Sequence, residues 1–91
     1  MPVCVHPRIA ARHPELLEED VLVAWEGSQD MTLRMDGLSF PEYVCTGHDA
    51  RGRHIEMVGV MTKDGWLIYH AQTPPTKKTL KEIDRAQRRR T

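Results

Sequence analysis

The sequence predicts an α+β domain, with a short N-terminal strand and two helices packed on an antiparallel three- to four-stranded meander, then a C-terminal helix. Three observations carry this expectation. Residues 42–73 hold the apolar runs "EYVCTGHD", "RHIEMVGVMT" and "WLIYHAQT", separated by "DARG" and "KDG". Such runs divided by turn residues read as consecutive hairpins, and Asp-Gly is a strong hairpin signal. "PELLEEDVLVAWEGS" (14–28) places Leu17, Val21, Ala24 and Trp25 at helical spacing. The whole chain of 91 residues has room for one domain.

The elements follow in order. "PVCV" (2–5) is a short strand. "HPRIAARH" (6–13) is a short helix, with His6 placed to cap it and Pro7 in the first turn, where a missing N–H costs nothing. Ile9 and His13 share one of its faces. In the second helix Glu15, Glu18, Glu19 and Asp20 crowd the start, where acids suit the helix dipole. Gly27 and Ser28 end it, and Trp25 anchors the core. "QDMTLRMDGLSFP" (29–41) reads as a weak strand at 31–35, a turn at Asp36-Gly37 and a loop. The turns then set a register. Asp64-Gly65 as a two-residue loop pairs Lys63 with Trp66, Met61 with Ile68 and Gly59 with His70. A four-residue loop at 49–52 pairs His48 with Arg53, Thr46 with Ile55 and Val44 with Met57. Val44, Ile55, Met57, Met61, Trp66 and Ile68 then form the face against the front helices. Tyr43, Cys45, His54, Glu56, Val58, Val60, Leu67 and Tyr69 form the other. His70 falls on the core side, away from His54, Glu56 and Tyr69, unless the strand ends in a bulge or twist that re-aims it. In "TPPTKKTLKEIDRAQRRRT" Thr73 or Thr76 caps the last helix. Leu80 and Ile83 give it a narrow apolar stripe, and residues 85–91 form a frayed basic tail.

Net charge is zero, but it is unevenly placed. Residues 1–50 hold three arginines against nine acids, a balance of −6. Residues 51–91 hold ten bases against four acids, a balance of +6. A basic half of this kind suits phosphates. No apolar run approaches membrane-spanning length. The start has no cationic region followed by an apolar stretch, so a cytoplasmic protein is expected. Cys4 and Cys45 form no CxxC, and two free thiols in strand-like, core-forming positions are expected.

The histidines are His6, His13, His48, His54 and His70. They show no HExxH or H-x-H spacing, so no metal site is expected. No Gly-rich phosphate loop and no GxSxG occurs. Acid–base chemistry without a cofactor is what this set of side chains allows. RNA is cut that way, when a base takes the 2′-hydroxyl proton, cations stabilise the phosphorane, and an acid protonates the leaving oxygen. His54, Glu56, Tyr69 and His70 are the candidate catalytic residues. Arg53, Lys77 and Lys78 are candidate phosphate ligands.

The element order, with "HPRIAARHPELLEEDVLVAWEG" in front and "GRHIEMVGV" and "GWLIYHAQTPPTKKTLKEI" behind, resembles the RelE superfamily of type II toxin–antitoxin ribonuclease toxins, especially its BrnT-like branch. That resemblance implies a cofactor-independent mRNA endonuclease and a cognate antitoxin protein as partner. It implies site positions at Arg53 and Glu56 on the penultimate strand, Tyr69 and His70 on the last, and Lys77 opening the helix. The chain departs from the pattern in two respects. It has "YHAQTPPT" where BrnT-like toxins carry an arginine, and it is neutral where they are basic. These departures motivate the alternative of a non-catalytic interaction module with the same fold.

Overall fold

The computed structural model describes residues 2–34 and 41–90, which form an α+β fold of one five-stranded mixed sheet and three helices. The elements are β1 (Val3–Val5), α1 (Arg8–Arg12), α2 (Glu18–Glu26), β2 (Gln29–Arg34), β3 (Glu42–His48), β4 (His54–Thr62), β5 (Gly65–Gln72) and α3 (Lys77–Arg90). The sheet order is β1-β5-β4-β3-β2. Strands β2 to β5 form a four-stranded antiparallel meander, the upper end of the expected range. β1 joins it in parallel beside β5, so the sheet is mixed and one strand wider than the meander. The weak strand expected at 31–35 occupies 29–34, and the expected turn at 36–37 lies outside the described residues.

Helices α1 and α2 cover one face of the sheet. Ile9, Leu16, Val21, Ala24 and Trp25 pack there against Cys45, Ile55, Met57, Ile68 and Ala71. Helix α3 covers the other face, where Ile83 meets Val44, Val58 and Tyr69. This second layer is small, as the narrow apolar stripe implied: Ile83 is buried but Leu80 is exposed. A bidentate ion pair from Arg34 on β2 to Glu82 (2.9 and 2.7 Å) adds to its docking. The helix runs to Arg90.

Both expected hairpin registers need correction. His48 pairs with His54, not Arg53, because the β3–β4 turn takes in one more residue. Buried Asp49 explains this. Its carboxylate accepts the Arg51 and Arg53 backbone N–H groups (3.0 and 2.9 Å) and Nε–H of Arg53 (2.7 Å), drawing Arg53 into the turn. Burial pushes the Asp49 carboxyl up, but these bonds outweigh it and hold the group below its usual range. A one-residue slip exchanges the faces of a strand, so Cys45 lies under α2 and Val44 under α3. Burial pushes the Cys45 thiol up to about 11, whereas Cys4 is exposed rather than in the core; both thiols are free. Between β4 and β5 the loop residues are Lys63 and Asp64, because Thr62 pairs with Gly65 and Met61 with Trp66. Gly65 has φ of +119°, a conformation that favours glycine. That two-residue shift preserves the faces.

Helix α2 also starts later than expected. Leu17 is an extended N-cap residue, 51% exposed, and Leu16 takes its place in the core. The Asp20 carboxylate accepts the Leu17 N–H (2.9 Å), fixing this start. Trp25 is the expected anchor, edge-on to Trp66 at 5.3 Å. Close approach of α2 to β3 requires a glycine at position 47, where a Cβ would lie 2.0 Å from the Ala24 carbonyl oxygen. Gly47→Ala is therefore expected to lower stability by about 1–3 kcal/mol through overpacking. Chemical denaturation of the purified variant measures it.

Candidate functional site

The site is built by an irregularity in β5. Val58 pairs with His70, but the next residue, Gly59, pairs with Ile68. Tyr69 is the extra residue of a β-bulge, and bulges re-aim side chains. Ile68 and Ala71 keep to the α1/α2 face, while Tyr69 and His70 both turn to the face that bears Glu56 and Val58. His70 Nε2 lies 2.9 Å from Glu56 Oε2.

Glu56 is 4% exposed, which demands full pairing of its charge. Its Oε1 accepts the Thr76 N–H (2.7 Å) and hydroxyl (3.0 Å), and Oε2 faces His70. Burial pushes the carboxyl up, but the hydrogen bonds from His70 and Thr76 outweigh it and hold Glu56 at about 2. The carboxylate is thus ionised and acceptor-only, so the imidazole donates from Nε2–H. With Nε2 engaged in this way, Nδ1 is left without a hydrogen-bond partner among the described residues. Thr76 is also the N-cap of α3, its Oγ1 accepting the Thr79 N–H at 3.2 Å. The junction after "TPPT" therefore holds the carboxylate that orients the histidine. Thr76→Ala is expected to cost about 1–2 kcal/mol through the lost cap and the lost carboxylate bond, read as a fall in thermal midpoint.

The other side of His70 meets α1. β1 pairs with β5 only as far as Ile68, and the His6 N–H bonds the Ile68 carbonyl (2.8 Å) before the chain turns into α1. Helix α1 lies along the edge of β5 that follows. Arg8 Nε–H donates to the Tyr69 carbonyl (3.1 Å), and the Arg8 guanidinium sits 5.4 Å from the Tyr69 ring centre. A cavity of about 80 Å³ opens there, bounded by Arg8, Arg12, His13 and His70 with the Tyr69 ring and Ile9. It has the volume of roughly two or three waters. Arg12 makes no ion pair among the described residues and is exposed, while Glu15 Oε1 lies 3.9 Å from His13 Nδ1. The cavity is thus a cationic recess with one oriented imidazole in its wall. Its arrangement suits a phosphoryl group beside a proton acceptor.

The remaining expected site residues are placed as follows. The Tyr69 hydroxyl donates to Glu42, and burial together with this bond pushes it up to about 12. His54 shares the face of Glu56 two residues away, but its ring stacks on His48 at 4.6 Å; burial, then the neighbouring His48, push it down. Arg53 spends its guanidinium on Asp49, the Glu15 carbonyl and Asp20, locking the turn to the start of α2. Lys77 and Lys78 are exposed on the first turn of α3. Lys78 lines a separate cationic groove of about 260 Å³ with Arg34, Lys81, Glu82 and Arg85. The fold thus joins Glu56 with His70, while the Arg53 guanidinium and the His54 ring are engaged with other side chains and Lys78 lines a different groove. Arg8, Arg12 and His13 were missed as site residues. The i, i+4 spacings of Arg8 with Arg12 and of Ile9 with His13 are readable, but where those faces point depends on the parallel β1–β5 pairing.

Among the described residues, no group of three or more His, Cys, Asp or Glu side chains is placed to hold a metal ion. No helix there is long and apolar enough to cross a membrane. No protein-family model, curated protein or solved structure matches the chain.

Proposed function

We propose that the chain is a cofactor-independent endoribonuclease of the RelE/BrnT-like kind, the toxin of a toxin–antitoxin pair. The observation that carries this reading is the Glu56–His70 pair, with an imidazole whose Nε2–H is held by a buried carboxylate at the wall of an arginine-lined recess. RNA carries its own nucleophile, the 2′-hydroxyl, so the protein has to supply a proton acceptor, cations for the phosphorane and a proton for the leaving oxygen. His70 is the acceptor, Glu56 its positioning residue, and Arg8 and Arg12 the cations. The groove beside α3 supplies further positive charge for the RNA backbone. A protein antitoxin that restrains the enzyme belongs to the same proposal.

Controlled induction in a bacterial host tests it. The wild-type chain is expected to arrest growth and fragment cellular RNA, and His70→Ala to do neither. Normal growth with intact RNA under the wild-type chain would overturn the reading. It would favour a non-catalytic interaction module, in which the structural engagement of Arg53 and of the Tyr69 hydroxyl is already consistent.

A further inference from the structure

Cleavage by a 2′-hydroxyl needs a second proton-transfer group, since the leaving 5′-oxygen departs as a strong base unless protonated. The Tyr69 hydroxyl is engaged with Glu42 on the α3 side of the sheet, and His54 is stacked on His48 outside the recess. A guanidinium donates hydrogen bonds but does not give up a proton, so an arginine cannot serve as this acid. The recess contains one further imidazole, His13, at the C-terminal end of α1.

We infer that His13 is the general acid of this site, protonating the leaving 5′-oxygen of an RNA phosphodiester held between it and His70. The inference rests on the ribonuclease reading above. The His13 backbone N–H closes α1 on the Ile9 carbonyl (2.8 Å), which fixes the Cα, while the side chain is about one-third exposed. Glu15 lies near Nδ1, leaving Nε2 as the other exchangeable position. Helical i, i+4 spacing puts Arg8 and Arg12 on one face and Ile9 and His13 on the adjoining one. Ile9 is buried and holds α1 against the sheet, so the helix presents both arginines and His13 around the recess as a unit.

The step balances as follows. His70 Nδ1 takes the proton of the 2′-hydroxyl, and the 2′-oxygen bonds to phosphorus. The bond from phosphorus to the 5′-oxygen breaks, and that oxygen takes the proton of His13. The products are a 2′,3′-cyclic phosphate and a 5′-hydroxyl. Water returns His70 and His13 to their starting protonation states. Arg8, held by the Tyr69 carbonyl and ring, and Arg12 face the phosphoryl oxygens throughout.

A leaving group that needs no proton separates the roles. The probe is one single-stranded RNA prepared in two forms, with oxygen or sulfur at the 5′-bridging position of the cleaved linkage, tested with the full chain. His13→Ala and His13→Gln are expected to slow cleavage of the oxygen form by about 10²–10⁴-fold. Both should cleave the sulfur form within about 10-fold of wild type, because a thiolate departs unprotonated. His70→Ala should be slow on both. Equal slowing of both forms by the His13 variants, or no slowing of the oxygen form, would overturn the role of His13 while leaving the ribonuclease reading standing. No cleavage of either form by the wild-type chain would overturn that reading and this inference with it.

Discussion

His70→Ala is expected to slow RNA cleavage by about 10²–10⁴-fold, the usual contribution of a positioned proton-transfer group. Single-turnover rates on a labelled RNA measure it. The fold should survive, because the His70 side chain is 31% exposed and the Thr76 bonds to Glu56 remain. A small loss of stability, about 1–2 kcal/mol, follows from leaving one carboxylate oxygen without its partner. A variant that folds and cleaves at the wild-type rate would remove His70 from the chemistry. Combining His70→Ala with a Glu56 variant should cost little more activity than His70→Ala alone, because Glu56 acts through the imidazole.

Glu56→Gln is expected to change both stability and rate. Its carboxyl is held at about 2, since burial pushes it up less strongly than His70 and Thr76 pull it down. Its ordinary value is about 4.3, so the depression corresponds to about 3 kcal/mol. The folded value is the lower one. The stabilisation is therefore complete above the unfolded-state value and is lost as pH falls from about 5 through about 2. Unfolding free energies of the wild type should fall by about 3 kcal/mol over that window in excess of the variant's. Comparing the two isolates Glu56 from Asp49 and Glu82, whose carboxyls are also lowered. Identical slopes would contradict this. The rate should fall by about 10²–10⁴-fold, because a neutral amide, which can donate as well as accept, fixes the tautomer and orientation of the imidazole less firmly than a carboxylate.

Much of the fold was legible because it is written in local patterns. The alternation in "RHIEMVGVMT" placed Ile55 and Met57 against the front helices and Glu56 and Val58 opposite, as observed. The threonine cap and the prolines marked where α3 begins. Errors arose where a side chain far from the pattern decided the backbone. Asp49 took Arg53 into its turn and moved β3 by one residue, which moved Cys45 and Val44 across the sheet. A bulge or twist at the end of the last strand is what brings His70 to Glu56, but no residue in "WLIYHAQT" announces a bulge at Tyr69. The cationic half of the site was hidden more deeply. Arg8, Arg12 and His13 lie more than fifty residues before His70, and only the parallel pairing of Val3–Val5 with Trp66–Ile68 brings α1 to that edge.

The most direct measurement uses the purified chain, a chelator, and two single-stranded RNAs that differ by one atom. One carries the 2′-hydroxyl at the cleaved linkage and the other has hydrogen there. The site as described predicts cleavage of the first, ending in a 2′,3′-cyclic phosphate and a 5′-hydroxyl, with the second left whole and His70→Ala inert on both. An uncut first RNA, cleavage of the second, or wild-type cutting by His70→Ala would contradict it.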